Sequence, residues 1–69
     1  MGSRFHDSSG DAIPGAVRRL ALEFPAMPRP EVVQVVRASR SDLAGVPTGA
    51  VPELLERLAR ERLLMRRTT

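Results

Sequence analysis

Two kinds of side chain in this sequence could do chemistry: one imidazole and a set of guanidiniums. His6 is the single histidine, and there is no cysteine. One imidazole cannot build a zinc site, which takes three or four converging nitrogen or sulfur ligands. A lone histidine could instead sense pH. His6, however, sits among Gly2, Ser3, Ser8, Ser9 and Gly10, a polar stretch with nothing to position it. It reads as a residue of a disordered arm. Nucleophilic catalysis needs a nucleophile beside a positioned base. Ser39 and Ser41 stand among arginines with no histidine near them, and the carboxylates are scattered. These residues predict no enzyme, no resident metal and no cofactor. A helical domain this small also offers no cavity of the kind ligands usually occupy.

The guanidiniums carry the remaining chemistry. All 11 basic residues are arginine, and the net charge is +3. Arg37 and Arg40 stand close together, and Arg57, Arg60, Arg62, Arg66 and Arg67 crowd the C-terminal part. Arg37, Arg40, Arg62, Arg66 and Arg67 are the candidate nucleic-acid contacts, where they would neutralise phosphates. Two helices joined by a short glycine-containing turn could also imitate a helix-turn-helix. Against this, no aromatic residue is interleaved with the arginines to stack on bases. The second of those helices opens Gly49-Ala-Val-Pro-Glu53, poor in side chains that read base edges. Arginines near a helix C-terminus also have the ordinary role of offsetting the helix dipole. Nucleic acid is therefore the weaker reading.

The elements that would hold these residues are helices. The first is predicted over about 12–24, with Asp11 as N-cap and Pro14 in its first turn. Ile13, Val17, Leu20 and Phe24 recur at spacings of four, three and four, the period of one helix face. Pro25 then stops the helix, and three prolines between 25 and 30 make a stiff connector. The second helix is predicted over about 30–44, with Pro30 at its start and Gly45 as its stop. Val32, Val33, Val35 and Val36 would suit a strand, but a lone strand would have no partner here. The third helix is predicted over about 50–66, capped by Thr48 or Gly49, with Pro52 in its first turn. Val51, Leu54, Leu55, Leu58 and Met65 share an arc of roughly 100°. Glu53 and Arg57, and Glu56 and Arg60, fall at the i,i+4 spacing of helical ion pairs. The expected architecture is all-α: a disordered arm over 1–10, then a small three-helix bundle over 11–67.

A bundle this short buries a modest share of its surface and usually needs a staple. Without cysteines or a metal site, association with another chain is the support that remains. Leu22, the valine cluster, Leu63 and Leu64 lie outside the narrow stripes and read as a surplus of apolar surface. The expected core and its continuation into an interface comprise Ile13, Val17, Leu20, Phe24, Val32, Val33, Val36, Val51, Leu54, Leu55 and Leu58. No apolar run approaches the roughly 20 residues of a membrane span, and no secretory leader is evident. The expectation is a cytoplasmic protein with no membrane partner.

Four stretches also resemble a known family. They are Leu20-Ala-Leu-Glu-Phe-Pro25, Pro30-Glu-Val-Val33, Leu43-Ala-Gly45, and Val51-Pro-Glu-Leu-Leu-Glu-Arg-Leu-Ala-Arg-Glu-Arg-Leu63. In order and spacing they look like the actinobacterial three-helix bundle dimerization domain, often found at the N-terminus of protein-tyrosine-phosphatase-like or arsenate-reductase-like proteins. Gly49 and Ala50 stand where the family pattern has an acidic residue and an aromatic. The resemblance implies a dimerizing helical bundle without chemistry of its own. The chain would be a free-standing version or a piece of a longer protein. The expected function is thus a non-catalytic interaction module that pairs with itself. The alternatives are a small basic nucleic-acid-binding regulator, or an adaptor or antitoxin-like protein that binds a different chain.

Overall fold

The computed structural model describes residues 8–68, with side chains described for 12–67. Among these residues every regular element is helical: α1 (Ser8–Glu23), α2 (Arg29–Asp42), a short 3-10 turn (Thr48–Ala50) and α3 (Val51–Thr68). Each helix packs on both others, giving the expected all-α three-helix bundle. The connectors, 24–28 and 43–47, are short enough to reverse the chain each time. Ion pairs fix the directions of the outer two. Arg19 reaches Glu56 and Glu23 reaches Arg60, so α1 and α3 run parallel.

The helix ends depart from expectation in informative ways. α1 begins at Ser8, so Ser8–Gly10 belong to a helix and not to an arm, and Asp11 lies inside the helix instead of capping it. The rest of the expected arm, including His6, lies outside the described residues. Pro14 is consequently an interior residue of α1. Its nitrogen has no hydrogen to give the Gly10 carbonyl, so the first turn is joined to the rest by one bond fewer. α2 starts one residue before Pro30, from Pro28 in an extended conformation (φ −59°, ψ 139°) with no side-chain cap. Pro30 then occupies the first turn, where its missing hydrogen costs nothing.

Gly45 does not end α2. No described glycine has positive φ, so there is no left-handed cap. The helix stops at Asp42 because the chain tightens. Leu43 N–H donates to the Arg40 carbonyl (3.1 Å), Ala44 to Ser41 (3.2 Å) and Val46 to Leu43 (3.0 Å). Leu43 and Val46 are both partly buried against the core, which draws this turn inward. Thr48 and Gly49 do not cap α3 either. They form the 3-10 turn that runs straight into it, anchored by Ala50 N–H on the Pro47 carbonyl at 2.9 Å.

The core is built from rows of every fourth residue. Ala12, Ala16, Leu20 and Phe24 come from α1 and the residue just after it, and Val51, Leu55, Ala59 and Leu63 from α3. Val32, Val35 and Val36 come from α2. Of the expected core, Val17, Leu20, Phe24, Val32, Val36, Val51 and Leu55 are buried, whereas Ile13, Val33, Leu54 and Leu58 are half-buried. Val32, Val35 and Val36 are thus absorbed by the chain's own core, Val33 packs against it half-buried, and Leu63 is fully enclosed. Met65, expected on the buried arc, is 71% exposed. The row one position along from Leu54 and Leu58, Leu55 and Ala59, faces inward instead.

Candidate interaction surfaces

Charged side chains on α3 bind it to both other helices. Toward α1, Glu56 accepts from Arg19, and Arg60 donates through Nε to Glu23 at 2.9 Å. Arg60 also lies 3.9 Å from Glu56, its partner at i,i+4. Toward α2, Arg62 Nη2 donates to Asp42 at 2.6 Å, and Arg66 pairs with Glu31. Every ion pair between helices among the described residues therefore includes α3. These pairs are largely solvated, so each is worth about 0–1 kcal/mol and they act mainly on register. The hydrogen bond that Arg60 donates to Glu23 raises its guanidinium above the ordinary value, outweighing the opposing effect of desolvation. Its positive charge therefore persists through the whole physiological range.

Among the described residues, Ser39 is the one buried polar side chain of the core. Its hydroxyl donates to the Val35 carbonyl at 2.8 Å, one turn back on α2. It also accepts from Arg62 Nη1 at 3.3 Å, so no polar side-chain atom is left stranded inside. A lone serine in a valine row gives no sequence signal for this role. Its place on the row Val32–Val36–Ser39 is the clue that periodicity offered. The serine thus has a structural part, with no base beside it. Ser41 is exposed.

Of the five candidate phosphate-binding arginines, three are occupied within the bundle. Arg62 and Arg66 are in the pairs above, and the Arg67 guanidinium sits 5.9 Å from the centre of the Phe24 ring. Arg37 is exposed and Arg40 half-buried, and neither has an ion-pair partner among the described residues. The structure does not bring the five into one cluster. Among the described residues, no group of histidine and carboxylates could hold a metal ion, and no helix is long and apolar enough to cross a membrane.

None of the known protein families, curated proteins or solved structures matches this chain.

Concavities among the described residues mark the surface. One of about 440 Å3 lies along the 24–28 connector, between Phe24, Met27 and Arg67. Another, of about 420 Å3, lies in the groove between α2 and α3, lined by Gln34, Val35, Ala38, Arg62 and Arg66. Neither contains a nucleophile with a base.

The apolar residues outside the core are few. Leu22 is 78% exposed and alone on the outer side of α1, opposite Leu20. Leu64 is 44% exposed. On α3, the half-buried Leu54 and Leu58 and the exposed Met65 fall in one line, separate from the buried row.

Proposed function

We propose that this chain is a non-catalytic protein–protein interaction module that forms a homodimer. One observation carries the reading. After the bundle has closed its own core, Leu54, Leu58 and Met65 still form an apolar line along α3. Val32, Val35 and Val36 contribute nothing to this argument, since they are enclosed. A domain of 7.6 kDa has little core to spare, and covering that line removes further apolar area from water at about 25 cal/mol per Å2. On this reading the chain is an example of the three-helix bundle dimerization domain that its sequence resembles, working in the cytoplasm. Sedimentation equilibrium at micromolar concentration tests it. The expected mass is that of two chains. A single species of 7.6 kDa across the concentration range sinks the reading.

A second reading, a small nucleic-acid-binding regulator, has one observation in its favour. Arg29, Arg37 and Arg40 on α2 have no carboxylate partner among the described residues. Electrophoretic mobility shifts over a salt series test it, because phosphate contacts weaken steeply as salt rises. Absence of binding at low salt removes this reading.

A further inference from the structure

The half-buried Leu54 and Leu58 belong to a longer line on α3. At about 100° per residue, Leu54, Arg57, Leu58, Glu61 and Met65 fall within an arc of roughly 100°. The centre of that arc is turned about 120° from the buried row of Val51, Leu55, Ala59 and Leu63. Arg57 and Glu61 are both exposed, and neither has an ion-pair partner among the described residues. Other arginines of α3 (60, 62 and 66) do have such partners. The line is therefore apolar at both ends and carries one unused positive and one unused negative charge between them.

We propose that this line is the self-association face, and that two copies pair through it with their α3 helices antiparallel about a two-fold axis that crosses the line at the height of residue 59. The inference rests on the homodimer reading and names its surface. The charge pattern selects the geometry. In a parallel pairing Arg57 would meet Arg57 and Glu61 would meet Glu61. In an antiparallel pairing Arg57 meets Glu61 of the second copy, twice per dimer. The same axis serves the apolar residues. The midpoint of Arg57 and Glu61 is Ala59, and the midpoint of Leu54 and Met65 falls between Ala59 and Arg60. One axis therefore sets both opposite charges and apolar ends against each other, which is the self-complementarity a two-fold interface requires. Opposed charges of this kind fix orientation and register more than they supply affinity. The leucines and methionine supply the burial.

The test uses the whole chain and two single variants, Arg57→Glu and Glu61→Arg, each on an exposed position. In a dimer of either variant both cross-pairs become like-charged, so dissociation constants by sedimentation equilibrium should rise at least about tenfold. Far-UV circular dichroism should show each variant still helical. Mixed together, the two variants restore opposite charges at both contacts and should form a heterodimer tighter than either homodimer. The double variant R57E/E61R should dimerize like the unaltered chain. If the unaltered chain dimerizes while the single variants match it, or their mixture gains nothing, this face is wrong and self-association stands. If the unaltered chain is a monomer, both fail.

Discussion

Replacing Pro14 with alanine asks directly where α1 begins. Six helical residues precede Pro14 in the structure, so it is an interior residue. There the ring crowds the Gly10 carbonyl and removes a hydrogen bond, at a cost of about 3 kcal/mol relative to alanine. Proline returns part of this by restricting the unfolded chain, by about 1 kcal/mol at most. Pro14 is exposed, so the substitution leaves the core untouched. The net expectation is a stabilisation of about 2 kcal/mol. With a urea dependence of about 1 kcal/mol per molar for so small a domain, the midpoint should move up by roughly 2 M in denaturation followed by circular dichroism. Had the helix begun at Asp11, as capping chemistry suggests, Pro14 would occupy the first turn and cost nothing. A gain under about 0.5 kcal/mol would therefore refute the interior placement, and with it the helical turn at Ser8–Asp11.

Leu55→Ala, at a fully buried position, should cost about 3–5 kcal/mol. That is comparable to the whole stability expected of a small unstapled core, so the variant should lose most of its helical signal at room temperature. Gly45→Ala should be neutral or gain up to about 1 kcal/mol in the same denaturation assay, because its φ is not positive and an added Cβ meets nothing within 4 Å. A loss above about 1 kcal/mol would mean that the turn needs glycine. Leu22→Gln, on the outer side of α1, should leave both stability and association within about 0.5 kcal/mol. Loss of dimerization there would move the interface to α1.

The helical periods of α1 and α2 were legible, since Val17, Leu20 and Phe24 share one stripe and the valines allow no other partner. The helix ends were not. Asp11, Thr48 and Gly45 have the right chemistry for caps, yet extended prolines and tightened turns end the helices instead. On α3 the arc read from the large residues overlaps the buried one only in part. Val51 and Leu55 belong to both, Leu54, Leu58 and Met65 lie to one side, and Ala59 and Leu63 complete the buried row. Local spacing reads only part of the charge pattern. Glu56 and Arg60 do lie 3.9 Å apart at i,i+4, but among the described residues no pair forms between Glu53 and Arg57, and Glu56 also crosses to Arg19. Such pairings depend on how whole helices are set against one another, and neighbouring residues do not encode that. The structural role of Ser39 is illegible for the same reason, since its second partner, Arg62, is a helix away.

Because α3 is a party to every charged bridge between helices among the described residues, the molecule has a natural cleavage line at the turn before it. The hairpin of α1 and α2 has no such tie of its own, only its grease and its proline hinge. Cut after Pro47, the two pieces would each be largely unstructured alone and should regain helix when mixed. The same arrangement leaves the third helix free to be donated by one molecule to another, so an exchanged dimer at high concentration would carry the same salt bridges as the closed monomer.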